Sequence, residues 1–482
     1  MHETQNRIFA AQGMSMVIKE KVKSYRPYYI SSMALAGPII ISQLGHTMVQ
    51  TADTMIVGHF AGTIPLAAVS LVHSVFMIVM VIGLGIAYGI TPLIAQENGK
   101  KNYAECGHLL SNSLWLNSLT GIILFCGVYF GSMSIIDHLD QDPAVVAEAK
   151  PYLFLLGLSI LPLMVFSAFK QFAEGLGFTR QAMNITIWGN ILNIVLAIIF
   201  VKGMFGIEPM GVKGVGYSTL IDRCLMAIVM GWYVFKSINF KRYLQGFKLL
   251  SIQFRRCREI MKIGAPVALQ YVFEISAFAA AAIMAGTLGP DIQAAHQVAI
   301  TLAAMTYMMA SGIASAATIM IGNSLGKKRF GRLHAFAKTN YVLVLLFMGL
   351  NAVIFIVFNQ YLPWIFTKDL AVISIAAQLL IIAGLFQLFD GTQVVGMGIL
   401  RGMGDVNRPT LITFIAYWII GLPMAYILGI QLGMGVKGIW YGLTLGLLTS
   451  SLLLFVRYRK VVAKIVHVDF DQISRSTSQA SR

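Results

Sequence analysis

The sequence predicts an all-α integral membrane protein: twelve transmembrane helices in two pseudo-symmetric six-helix bundles around a central cavity. Three observations lead there. The first is composition. Of 482 residues, 57% are hydrophobic and 12% charged, and mean hydropathy is +0.74, where a soluble domain carries about 25% charged residues. The second is a series of twelve apolar segments of bilayer-spanning length. The third is an internal repeat that divides the twelve into two sixes. A spanning segment must satisfy every backbone group internally, which leaves helices or closed barrels. These segments are too long for barrel strands and lack strict alternation, so they are helices.

In chain order, residues 1–32 are a cytoplasmic N-terminal segment. It holds Arg7, Lys19, Lys21, Lys23 and Arg26 but no continuous apolar core, so it does not read as a secretory signal. The N-terminal bundle spans 33–235, with apolar segments at 33–57, 66–92, 108–130, 152–174, 184–203 and 213–235. A basic cytoplasmic linker covers 236–261. The C-terminal bundle spans 262–457, with segments at 262–286, 295–322, 338–359, 372–400, 410–430 and 436–457, and a cytoplasmic tail runs over 458–482. The two bundles share short passages. QENGKKN at 96–102 matches NSLGKKR at 323–329, EGLGFTR at 174–180 matches RGMGDVN at 401–407, and MGVKG occurs at both 210–214 and 434–438. Gly37-Pro38 likewise matches Ala265-Pro266, and the offset stays between 224 and 228. Six crossings return the chain to the side it left, so the bundles share one orientation. The axis relating them runs along the membrane normal, a parallel-repeat plan seen in transporters.

The formal net charge is +16, from 36 basic and 20 acidic residues. Such a balance suggests nucleic acid, but the basic residues sit in connecting loops without interleaved aromatics, and no nucleic-acid partner is expected. Their distribution instead fixes orientation. One set of loops and termini holds 29 basic residues and the opposite set five. The positive-inside rule puts both termini in the cytoplasm, with Gln245 inside and Gln141 outside. Cys106, Cys126, Cys224 and Cys257 show no CxxC or other metal spacing.

The candidate site residues are ionisable or polar groups within apolar segments. A carboxylate in hydrocarbon is costly and marks a functional position by default. Asp390 lies inside the tenth segment, Glu274 in the seventh and Asp53 in the first. Gln43, His46, Gln50 and Asp53 are spaced by three, four and three residues and share one helical face. Thr186, Asn190 and Asn193 form a similar stripe in the fifth segment, and Tyr271, Glu274 and Phe278 share a face in the seventh. With Gln387, these polar and aromatic residues are candidates for a cavity lining. Stripes of amides also serve as interhelical glue, but glue does not need a charge. Across the repeat Glu274 aligns with His46, Asp390 with Leu163 and Asp53 with Ala281, so the acids break the symmetry that the scaffold keeps. Lys170, about a turn from its helix end, reads as a snorkelling lysine, and Arg223 reads as a partner of the adjacent Asp222 or of another helix.

Enzyme signatures are missing: the sequence has no HExxH, Walker A or GxSxG motif. Gly402-Met403-Gly404-Asp405 matches the GxGD of intramembrane aspartyl proteases, but it falls in a turn, its repeat copy GLGF lacks the acid, and no Tyr-Asp pair exists to supply a partner.

Three passages, QTADTMIVG (50–58), ALQYVFEISAF (268–278) and LFDGTQVVGMGILRGMGD (388–405), together with the twelve segments and the repeat, resemble the multidrug and toxic compound extrusion (MATE) family in its NorM-type branch. The likeness covers nearly the whole chain beyond residue 30. It implies a secondary antiporter, not an enzyme, that exports organic cations, dyes or drugs in exchange for Na⁺ or H⁺ without ATP or any cofactor. By the same resemblance Asp53, Glu274 and Asp390 are cation-coupling residues, with Glu274 and Asp390 holding Na⁺ if sodium is the ion. The expected setting is a monomer among the lipids of a bacterial inner membrane, with small cationic substrates. Two alternatives stay open. A lipid-linked saccharide flippase of similar architecture would carry several intramembrane Arg or Lys residues, and a polytopic membrane enzyme would turn its substrate over.

Overall fold

A computed structural model of the chain describes residues 2–138 and 142–480; Gln141 lies outside them. All regular structure among the described residues is helical. Twelve long helices follow one another: α1 His2–Phe60, α2 Thr63–Gly99, α3 Tyr103–Ile136, α4 Pro143–Gly175, α5 Thr179–Lys202 and α6 Val212–Lys236. The second half repeats the series as α7 Phe254–Gly286, α8 Pro290–Gly326, α9 Phe330–Val357, α10 Leu370–Gly402, α11 Asn407–Gln431 and α12 Gly435–Ala480. Eleven of these are long and apolar enough to span a bilayer by composition alone. The twelfth is α1, whose mean hydropathy is lowered by its stripe of Gln43, His46, Gln50 and Asp53.

Helix ends depart from the apolar limits in three places. α1 and α12 run unbroken through the boundaries at 32/33 and 457/458, and α7 starts at Phe254, inside the segment read as linker. Hydropathy locates where a helix enters lipid, not where it stops. Residues 254–261 are polar but helix-forming, and Arg255 pairs with Glu259 four residues on at 3.2 Å.

The repeat is written into the backbone. Lys101 (φ 62°) and Lys328 (φ 53°) hold the same left-handed position in the turns after α2 and α8. Gly177 (φ 94°) and Gly404 (φ 81°) do so after α4 and α10, where glycine adopts the conformation without a Cβ clash. Asp142 and Asp369 cap the N-termini of α4 and α10, each accepting from a backbone N–H at 2.8 Å. α4 packs among α2, α3 and α6, and α10 among the symmetry-equivalent α8, α9 and α12. These two central helices are apolar nearly all round, as a helix enclosed by others must be.

The bundles meet through α1 against α8 and its equivalent, α2 against α7. Contact is closest on the side of the chain termini. A Cβ on Gly264 of α7 would lie 2.6 Å from the Ile86 carbonyl of α2, so only glycine permits that approach. On the same side Gln96 Nε2 donates to the Gly402 carbonyl at 2.9 Å. The connection between α6 and α7 folds back under α3, and Arg256 grips Glu105 through two bonds of 2.6 Å. Positive charge is dense here. Burial, with Arg329, Arg332 and Lys101 nearby, holds the Lys327 ammonium below its ordinary range.

Candidate functional site

Between the bundles lies a cavity of about 370 Å³, within the range of small-molecule sites. Helix periodicity decides which side chains reach it. Gln43, His46, Gln50 and Asp53 all line it from α1, and Asn190 and Asn193 from α5. Tyr271, Glu274 and Phe278 line it from α7, and Asp390 from α10. Gln387 does not. It is wholly buried off the cavity, and neither its Nε2 nor its Oε1 has a hydrogen-bond partner. Phe386 and Asp390 share the cavity line because four residues return a side chain to within about 40° of its start, whereas Gln387 sits roughly 100° round from Phe386.

The C-terminal wall is acidic and aromatic. Glu274 and Asp390 are 4% and 3% exposed and lie within electrostatic reach of each other. The Tyr307 hydroxyl of α8 donates to Glu274 Oε2 and the Tyr417 hydroxyl of α11 to Glu274 Oε1, each at 3.4 Å. Gln393 Nε2 donates to the Tyr417 oxygen at 2.8 Å, which directs the phenol hydrogen to the carboxylate. Tyr417 stands where α11 widens over Ile415–Gly421 into a π-helical stretch, a distortion common at functional positions. Phe278 packs against Tyr417, ring centroids 5.8 Å apart. Asp390 Oδ1 is buried without a partner. No Lys, Arg or His lies on this wall among the described residues.

The N-terminal wall mixes both signs. Asp53 of α1 and Asp222 of α6 are each 4% exposed, and each has a buried Oδ1 without a partner. Lys170 and Arg223 reach the same wall. Lys170 does not snorkel: it is buried, donates to Ser42 Oγ at 3.0 Å and stands 3.9 Å from the buried Glu174. Arg223 does not pair with Asp222. Consecutive helical side chains point about 100° apart, and Arg223 Nη1 instead donates to Ser159 Oγ at 2.7 Å. Asn193 Nδ2 donates to Thr219 Oγ1 at 3.3 Å, and His73 Nε2 shares a hydrogen bond of 3.1 Å with the Tyr152 hydroxyl.

Sequence reasoning underweighted Lys170, Arg223 and Asp222 and missed His73, Tyr152, Tyr307 and Tyr417. The rule that flagged Asp390 would have flagged the charged three had their position near segment limits, or beside each other, not suggested a local explanation. His73, ionisable within the apolar segment 66–92, carried the same signal and was passed over, whereas the three tyrosines carry none. Asp405, the acid of the GxGD run, pairs with Arg457 at 2.6 Å away from the cavity.

Tyr88 of α2 lines the cavity on the terminal side. Its ring lies 6.2 Å from Tyr271 across the bundle boundary, and the Arg401 guanidinium lies 5.8 Å over it. Chemically, the C-terminal wall offers two carboxylates and phenol oxygens to a hard cation, or carboxylates and ring faces to an organic one. Among the described residues no group of three or more His, Cys, Asp or Glu is placed to hold a metal ion.

Comparison with known proteins adds the following. The MatE family model matches the chain twice, over 38–199 and 266–427. The chain is 31% identical over 438 residues to the multidrug resistance protein MdtK of Yersinia pestis (strain Pestoides F), a match covering 89% of this chain and 94% of that protein. A similar likeness, 31% over 431 residues with the same coverage, holds for MdtK of Photorhabdus laumondii. Among solved structures, the eukaryotic MATE transporter AtDTX14 superposes with TM-score 0.82 at 20% identity, covering 92% of this chain and 98% of that one. A MATE structure in a bent conformation gives TM-score 0.84 at 20% identity, with coverage of 91% and 96%.

Proposed function

The chain belongs to the MatE family, and on that premise we propose that it is a secondary multidrug efflux antiporter, not an enzyme, exporting amphipathic organic cations in exchange for Na⁺ or H⁺. The observation that carries this reading is the C-terminal wall: Glu274 and Asp390, buried together, faced by aromatic rings and without a basic partner. Two buried carboxylates cost free energy that a proton, a sodium ion or a cationic substrate each relieves. Cation and substrate therefore compete for the same charge, and that competition is antiport. A ligand shifts the two access states only by its differential affinity for them. Na⁺, a hard cation, would be held by Glu274 and Asp390 with phenol oxygens of Tyr307 and Tyr417 completing an oxygen shell; a proton would need only one of the carboxylates. Asp53 serves the N-terminal bundle in the same economy of charge. The remaining polar lining, from Gln43 to Asn193, solvates whatever occupies the cavity.

With 33–235 and 262–457 taken as the bundles and both termini cytoplasmic in an inner membrane, the Tyr88 side of the cavity faces the cytoplasm. Cysteines at Gln245 and Glu208, both exposed, test that orientation with an impermeant thiol reagent on intact cells. Labelling at 208 and not at 245 is expected, and the reverse overturns it. The flippase reading loses support because the two cavity cations, Lys170 and Arg223, share their wall with Asp53 and Asp222, leaving no basic surface for a pyrophosphate. The function itself is tested by dye efflux from proteoliposomes under an imposed Na⁺ gradient, then an imposed pH gradient. One of the two should drive efflux without ATP; failure of both defeats the reading.

A further inference from the structure

Arg223 stands among acids without pairing with any of them. Its guanidinium hydrogen-bonds the neutral Ser159 hydroxyl at 2.7 Å and lies 5.8 Å from the centre of the Phe76 ring. Asp53 and Asp222 are within its electrostatic reach, and each holds a buried oxygen that accepts nothing. Gly189 of α5 leaves Asp222 its room: a Cβ there would come within 2.6 Å of Asp222 Oδ1. Arginine–carboxylate pairs are frequently short and bidentate, and buried charges left apart are costly. A guanidinium that rests on a serine instead leaves the unpartnered oxygens of both acids open to another cation.

We propose that Arg223 is a resident counter-cation of the N-terminal bundle, which competes with the incoming ion for the Asp53–Asp222 pair. This rests on the antiport reading above and assigns a specificity-determining residue within it. With an ion or proton on the acids, Arg223 is parked on Ser159 through the 2.7 Å bond described above. When the ion leaves, the guanidinium swings toward the vacated Asp53 carboxylate of α1, keeps Asp222 within its electrostatic reach and resists reloading from that state. The charge stays on the chain, so the bundle discharges without facing two bare carboxylates. The C-terminal wall has no such residue, and its acids must wait for an external cation. The other titratable groups around Arg223 are His46 of α1, His73 of α2, and Tyr152 and Lys170 of α4. None of them is hydrogen-bonded to the guanidinium, whose polar partner is Ser159.

The test is ion-triggered release of a fluorescent organic cation from purified full-length protein in detergent, titrated with Na⁺ at fixed pH and with acid in the absence of Na⁺. Arg223→Gln removes the competitor. The concentration of the effective ion for half-maximal release should fall about tenfold, the effect of one nearby charge in a partly screened site, while transport turnover drops because the site no longer discharges. Arg223→Lys keeps the charge but loses the planar fork, so its midpoint should fall between those of Arg223→Gln and wild type. Ser159→Ala removes the parking place and should move the midpoint the other way, to higher ion. This second direction keeps the proposal testable if Arg223→Gln fails to fold. Unchanged midpoints in folded Arg223→Gln, or in Ser159→Ala, overturn the proposal. If wild type itself shows no ion-triggered release, it is the antiport reading that fails.

Discussion

The two walls of the cavity descend from one repeated scaffold, yet they answer charge in opposite ways. The N-terminal wall sets Asp53 and Asp222 against Lys170 and Arg223, with amides between them. The C-terminal wall sets Glu274 and Asp390 against rings and hydroxyls alone. Formally one wall is neutral and the other carries two negative charges. The repeat duplicated turns, caps and the packing of α4 and α10, all of which serve folding. It did not duplicate the ionisable groups, so the asymmetry is where function was added.

If the uncompensated wall is the coupling wall, the largest effect belongs to Asp390. Asp390→Asn should abolish gradient-driven efflux in proteoliposomes, and Glu274→Gln should come close to it. Both variants should insert and purify normally, because removing a charge from a membrane-buried position lowers its cost. Substrate release from purified Asp390→Asn on adding Na⁺ or acid, as readily as from wild type, would put the coupling site elsewhere and erase the contrast between the walls.

Asp53 lies on the compensated wall, so its loss should matter less. Asp53→Asn should lower efflux by about tenfold, the equivalent of about 1.4 kcal/mol, at unchanged expression. A null phenotype equal to that of Asp390→Asn would make the two walls equal partners. Full activity would reduce Asp53 to a structural acid.

The fold was legible because lipid imposes it. Twelve apolar runs and a repeat at nearly constant offset leave little freedom, and even the caps Asp142 and Asp369 obey the offset. The C-terminal acids were legible for the same reason: nothing apolar explains a carboxylate within α10. The N-terminal cations were less so. Arg223 beside Asp222 looks like a pair in one dimension, and only the helical turn separates them. Tyr417 could not be singled out, since tyrosines are frequent and its aim at Glu274 depends on the widened turn of α11. Gln387 was misread because a helix line is narrower than a stretch of sequence.

Tyr417 gives a smaller and finer test of the acidic wall. Tyr417→Phe keeps the ring against Phe278 and removes one donor to Glu274. Hydrogen bonds to charged groups contribute about 1.5–3 kcal/mol, and at 3.4 Å this one belongs at or below the low end. The ion concentration for half-maximal substrate release should change by about tenfold or less, with thermal stability near wild type. No change would mean that Glu274 is held by Tyr307 and burial alone.

The smallest expected effect separates a cavity acid from one that only builds the protein. Asp405 and Arg457 join the turn after α10 to α12 at 2.6 Å, with side chains 18% and 35% exposed. Water reaches both, so their attraction is screened, and exposed pairs of this kind contribute about 0.2–1 kcal/mol. Asp405→Asn should therefore lower the melting temperature slightly, by an amount that Arg457→Gln reproduces and the double variant does not exceed. Efflux should stay at wild-type rates in all three, because neither residue reaches the cavity. Strong loss of efflux in Asp405→Asn with stability intact would show that an acid outside the cavity takes part in coupling, and the division between scaffold charges and cavity charges would fail with it.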